Sequence, residues 1–205
     1  DGAFFMRGSL KGLNGGHSGD DINKKRANAI KVLSRFLYQE MKRYEGLQLA
    51  QFHSGKLHNA IPRDGYFVIA VPNALKENVR ADWNVFATEV QDEFHVTDQT
   101  MEFYMESCDA EPVMADTDMR RFVTALQAVD NGIYAICQDE ALGGMVETSS
   151  NIASVHTQEN EINILSSQRS NVMSNLDNMC ATIAATFELA GSLDRKSGSA
   201  GMPRP

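Results

Sequence analysis

"LQLAQFHSGKLHNAIPRDGYFVIAV", Leu47 to Val71, decides how this chain folds. Its first nine residues alternate loosely between apolar and polar, as a half-buried strand does. "YFVIAV", Tyr66 to Val71, is a short continuous apolar run, the pattern of a buried strand. Between them "LHNAIPRDG" is rich in turn formers. Two strands in succession therefore lie here, and helical patterns flank them. Upstream, Ile30, Leu33, Leu37, Met41 and Tyr44 keep three-and-four spacing up to Gly46, with Asp20 or Asp21 as the expected cap. Downstream, Pro72 and Asn73 open a helix with Leu75, Val79, Trp83, Phe86, Val90 and Phe94 on one face. "AFFMRGSLKGL" at the start of the chain reads as one more strand. The order is β-α-β-β-α.

The second half repeats it. "MEFYMES" reads as a strand, and Asp116 or Thr117 caps a helix striped by Met119, Phe122, Val123, Leu126 and Val129. "IYAICQ" is a strand, and "SSNIASVHTQENEINILSS" a hairpin with "QENE" at its turn. Ser170 or Asn171 caps a last helix that carries Val172, Leu176, Met179, Cys180, Ile183 and Phe187 on one face and closes at Gly191. The two halves are read as a duplication, with units at residues 1–98 and 99–191 and a linker at 192–205. The expected class is α+β: two tandem ferredoxin-like units forming an antiparallel sheet, with helices on one face. Joining the units edge to edge would hide two otherwise exposed sheet edges.

The 205 residues are 42% hydrophobic, enough to bury a sizeable core, and the net charge is −8. No basic stripe for phosphates accompanies that acidity, which argues against nucleic acid. No apolar run is long enough to span a membrane. The chain opens on Asp1 rather than methionine, so a piece of a longer protein is expected. Cys108, Cys137 and Cys180 form no CxxC pair; Cys137 and Cys180 are expected to be buried thiols in a reducing compartment.

Catalytic motifs are scarce. The histidines, His17, His53, His58, His95 and His156, include no HExxH and no close pair on a helix, so no resident metal site is expected. "GHSG" is not GxSxG, and "GLNGGHSG" lacks the lysine of a phosphate loop. His17 stands apart, because it sits in a loop of four glycines, "GLNGGHSGDD", where a backbone can approach a ligand closely. Asn59, Asn151 and Arg169 could hydrogen-bond an amide or a carboxylate, with Arg169 offering a planar fork. Each could equally serve a turn or a surface ion pair.

Taken together, "GLNGGHSGDDI", "RANAIKVL", "HNAIPR", "GMVETSSNIASV" and "SSQRS" resemble the bacterial Xaa-His dipeptidases, aminoacyl-histidine dipeptidases of the carnosinase-like type. The resemblance covers only their lid, or dimerisation, domain. It implies that His17 donates a hydrogen bond to the scissile carbonyl oxygen as that oxygen gains charge. It implies that Asn59 contacts substrate, that Arg169 holds the substrate's terminal carboxylate, and that Ser149 and Asn151 are adjacent binding candidates. Two zinc ions, or another divalent pair, would belong to a separate catalytic domain, and residues 192–205 would lead back to it. The expected partners are a peptide substrate, that domain and a second copy of the chain; the expected place is the cytoplasm. A stand-alone small-molecule-binding or dimerisation module is the alternative.

Overall fold

The computed structural model describes residues 2–191. The expected linker, 192–205, lies outside the described residues. The first unit contains β1 (Ala3–Lys11), α1 (Ala29–Arg43), β3 (Gln48–Ser54), β5 (Gly65–Pro72), α2 (Lys76–Glu93) and β6 (Glu102–Ser107), with two-residue strands β2 (Gly16–His17) and β4 (Ala60–Ile61) in its loops. Its sheet runs β6-β1-β5-β3, antiparallel throughout. Met6, Gly8 and Leu10 of β1 share a face with Phe67, Ile69 and Val71 of β5, and α1 and α2 cover that face. Trp83 of α2 meets Phe36 of α1 edge to face at 4.8 Å, an arrangement that favours aromatic pairs.

The second half contains α3 (Asp116–Ala128), β7 (Gly132–Ile136), β8 (Val146–Thr157), β9 (Ile162–Ser170) and α4 (Met173–Leu189). β9 pairs along one edge of β8, so β3 and β7 share the other: β7 lies beside Val146–Ser150 and β3 beside Val155 and His156. All of these pairs are antiparallel. Neighbouring helices pack in the order α2-α1-α3-α4 on one face of the continuous sheet, as expected. The strand count of the halves differs from expectation. "MEFYMES" is β6, which pairs with β1, so the first unit closes past residue 98, at Ser107. The second half is then α-β-β-β-α. Alternation marks a strand but does not say which edge it will find.

The joint between the halves is compact. His53 and Ser54 of β3 pair with His156 and Val155 of β8. Above them α1 packs on α3, and Phe52 meets Phe122 edge to face at 5.8 Å. Lys31 of α1 donates from Nζ to the carbonyls of Leu126, Gln127 and Val129 at 2.6, 3.0 and 2.8 Å, capping the C-terminus of α3. Gly55 follows β3 with φ +79°, and a Cβ there would stand 1.9 Å from the Ala153 carbonyl oxygen of β8. No side chain fits between the two backbones at that point.

Three helix starts differ from the sequence reading. Residues Ile22–Lys24 form a 3₁₀ turn that Lys25 ends in the left-handed region at φ 53°. α1 therefore begins later, with Asn28 as its cap: Asn28 Oδ1 accepts from the amides of Ile30 and Lys31. Asp116 is the first residue of α3 rather than its cap, and with Asp118 it places negative charge in the first turn. α4 has Val172 in the cap position, whose amide bonds Ser170 Oγ at 3.0 Å. The thiols differ too, since Cys137 is half-buried and Cys180 is exposed, beside the buried Met179.

Candidate functional site

The glycine loop after β1 is tied down at both ends. Asp98, buried, accepts from the amide of Asn14 at 2.8 Å through Oδ1 and from that of Ala27 at 2.9 Å through Oδ2. Arg26 donates to the Gly15 carbonyl at 2.5 Å. Between these anchors β2 pairs with β4, so His17 stands opposite Ala60. The Ser18 amide donates to the Asn59 carbonyl at 2.9 Å. Two residues read separately from the sequence, His17 and Asn59, are thus brought to one ladder.

Asp21, expected as a helix cap, instead holds the loop. Its Oδ2 accepts the His17 amide at 2.8 Å, its Oδ1 lies 2.5 Å from Lys24 Nζ, and Arg26 stands 3.9 Å away. Lys24, and then the His17 amide, hold its carboxyl below the usual carboxylate range. Gly16 has φ +134°, and a Cβ there would lie 2.5 Å from Asp21 Oδ2. Glycine at this position is what lets the carboxylate reach under the loop.

The imidazole of His17 is 37% exposed, at the surface rather than sealed in the core. Its Nδ1 accepts from the amides of Gly19 at 3.3 Å and Asp20 at 3.2 Å. Against those donors, an imidazole carrying a single ring proton holds it on Nε2. The Asp20 carboxylate, 3.2 Å from Nδ1, favours a proton on that nitrogen instead, but at 88% exposure it is well screened. The two backbone donors therefore decide the assignment, which leaves Nε2 as the ring's donor.

Across the loop stands Arg169. A Cβ on Gly19 would meet His17 Cε1 at 3.2 Å and both Cδ and Cζ of Arg169 at 3.3 Å. The absent side chain of Gly19 is the space that separates imidazole from guanidinium. Arg169, near the end of β9, is opposite Ser149 of β8, and paired residues present side chains to the same face. Thr148, Ser149, Ser150 and Asn151 are all buried, an unusual fate for four polar residues in a row.

Asn151 lies enclosed beneath this surface. It is 1% exposed; its Nδ2 donates to the Ala60 carbonyl at 2.9 Å, and its Oδ1 accepts from Asn28 Nδ2 at 3.2 Å. An amide so enclosed positions its neighbours. Asn28 extends the network, donating also to Asn131 Oδ1 at 3.1 Å and the Ile152 carbonyl at 2.9 Å. The helix cap of the first half is thereby bonded to the second half. Ser149 is 3% exposed and lies behind the same surface. Asn28, Asp21 and Asp98 went unread as site residues. Asn28 alone carried a signal, a cap residue directly before the apolar run "AIKVL".

Among the described residues no group of three or more His, Cys, Asp and Glu side chains could hold a metal ion. The donor set of the described residues does not fit a resident two-metal centre. No helix among the described residues is long and apolar enough to cross a membrane.

Comparison with known proteins places this geometry. Residues 9–98 match the family model described as peptidase dimerisation domain. The cytosol non-specific dipeptidase of Escherichia coli K12 is 30% identical over 192 residues, 93% of this chain and 39% of that protein. The crystal structure of aminoacylhistidine dipeptidase from Vibrio alginolyticus superposes with a TM-score of 0.89 at 32% identity, over 93% of this chain and 38% of that one. The chain thus spans about two fifths of the length of both relatives.

Proposed function

Since the chain carries a peptidase dimerisation domain and shares the fold of the corresponding part of an aminoacylhistidine dipeptidase, we propose that it acts as the substrate-closing lid of an aminoacyl-histidine dipeptidase. The observation that carries this reading is the approach of His17, from the first half, to Arg169, from the second, on either side of Gly19. Imidazole Nε2–H is a neutral donor suited to a carbonyl oxygen that gains negative charge during hydrolysis. A guanidinium is the matching partner for a dipeptide's terminal carboxylate, which it binds through paired hydrogen bonds. Asn59, half-buried beside His17 on the β2–β4 ladder, adds an amide at the edge of the same surface. Asn151 and Ser149 hold the floor.

On this proposal the divalent metal pair, zinc by preference, would be held by a catalytic portion outside the chain and would supply Lewis-acid chemistry there. Lid closure brings His17 and Arg169 onto the bound dipeptide and excludes bulk solvent. The chain alone is then inactive, its parent is a cytoplasmic hydrolase, and dimerisation joins two copies of the parent. The match to only part of longer dipeptidases supports a lid over a stand-alone module.

His17→Ala in the complete dipeptidase tests the reading. Loss of one oxyanion donor lowers kcat by about 10²–10³, while KM for an Xaa-His dipeptide changes only a few-fold. An unchanged kcat would remove His17 from the reaction.

A further inference from the structure

We propose that His53 and His156 form a chelating site for one divalent transition-metal ion of the zinc, nickel and copper class, which pins the two halves of the sheet together. The two residues face each other across the joint, as register partners on β3 and β8. Their Nδ1 atoms are 3.3 Å apart, with ring centroids 5.5 Å apart and planes 39° from parallel. Two imidazole nitrogens bound to one tetrahedral ion at about 2.0–2.1 Å stand about 3.3–3.4 Å from each other. The spacing is therefore that of a chelate, and a small rotation of each ring turns both lone pairs from one another toward a shared ion. Imidazole pairs suit zinc, copper and nickel, not magnesium or calcium.

The proton bookkeeping also fits. Thr157 Oγ1 accepts the Phe52 amide at 3.0 Å, donates to the Phe52 carbonyl at 3.4 Å, and lies 3.3 Å from His53 Nε2. With its one proton committed to that carbonyl, the hydroxyl has a lone pair for His53 Nε2–H. His53 Nδ1 is then bare, and in the absence of an ion His156 Nδ1–H donates to it. When an ion enters, the His156 proton moves from Nδ1 to Nε2, and both Nδ1 lone pairs bind metal with no net proton released. Thr157 plays the part of an outer-shell partner that fixes ligand orientation.

Access is open. Both histidines line a cleft of about 440 Å³ on the face of the sheet that carries no helices. Glu106 lines the same cleft, and the Arg7 guanidinium is stacked over the Tyr66 ring at 3.6 Å. Water or a carboxylate oxygen can fill the remaining coordination positions. None of these residues belongs to the His17 surface, so the site stands or falls independently of the proposed lid function.

Calorimetric titration of the 205-residue chain with Ni²⁺, and separately with Zn²⁺, tests the site. One ion binds per chain, His53→Gln and His156→Gln each abolish binding, and Thr157→Val weakens it by about tenfold or more. Absence of saturable binding, or an isotherm unchanged in both glutamine variants, would overturn the proposal. Imidazole ¹⁵N spectra of the unaltered chain decide the matter should a variant not fold. Added Zn²⁺ shifts the Nδ1 resonances of His53 and His156. Shifts confined to His17, His58 or His95 would contradict it.

Discussion

The imidazole of His17 is oriented by backbone on three sides: its own amide on Asp21, and the amides of Gly19 and Asp20 on Nδ1. Backbone donors in a loop anchored by buried Asp98 keep the ring placed through Nδ1 alone. The glycine setting of this histidine was legible in the sequence. The resemblance put Arg169 on the same substrate, but no local pattern records its place beside His17, which it reaches through β9 of the other half. Asp21 was misread for a related reason. A carboxylate before a helical stripe reads as a cap, and only the left-handed Lys25 delays the helix to Asn28. Asn28 itself joins cap to network, and the two roles separate by substitution. Asn28→Asp keeps an equally good capping oxygen, but it loses the Nδ2 donors to Asn131, Asn151 and Ile152. The variant is expected to lose about 2 kcal/mol of stability, because buried acceptors are left unmatched. Urea unfolding measures it, and stability equal to the unaltered chain would show that the links between the halves contribute nothing.

α1 is the element on which both halves depend, and its polar residues are as telling as its apolar stripe. Lys31 caps α3 from it, and Asn28 opens it against β8. Glu40 lies three residues beyond Leu37, on the buried face, and is 1% exposed. Burial, reinforced by the charge of Asp82, pushes its carboxyl from 4.5 up to about 7, against the opposing effect of Arg43. Between those two pH values the folded chain binds a proton that the unfolded chain does not. Stability therefore falls as pH rises through that window, by at most about 3 kcal/mol. Glu40→Gln, which keeps the shape of the protonated acid, is expected to flatten this part of the pH–stability curve, and denaturant titrations from pH 4.5 to 7.5 read it directly. An identical slope in the variant would assign the dependence elsewhere. At this scale the sequence was most legible. Both apolar helices of the first half, the long hairpin and the buried "YFVIAV" strand follow from periodicity alone. Strand neighbours do not: β6 was given to the second half because pairing is set by tertiary packing. Cys180 was misjudged because it lies at the margin of a stripe whose centre is Met179 and Ile183.

Across the whole molecule, the two halves act as one body because their sheets, helices and polar networks all meet at β3–β8 and α1–α3. The repeat of elements is unequal, β-α-β-β-α-β against α-β-β-β-α, but the placing of the described helices on one face was readable. The tightness of the joint was not, since the approach of Gly55 to Ala153 depends on a backbone geometry that side-chain patterns do not encode. That joint carries Arg169 to His17, and the proposed lid function rests on the pair. The longer dipeptidases to which the chain is similar are the setting in which the pair can be measured. Steady-state kinetics of the complete enzyme and of its Arg169→Met variant, each with an Xaa-His dipeptide and with the C-terminal amide of that dipeptide, test the account most directly. A charged hydrogen-bonded pair is worth about 1.5–3 kcal/mol. The variant is therefore predicted to lose a preference for the free carboxylate of about ten- to a hundredfold, through KM, with kcat held within a few-fold. The same preference in both enzymes would contradict the placing of Arg169 on the substrate.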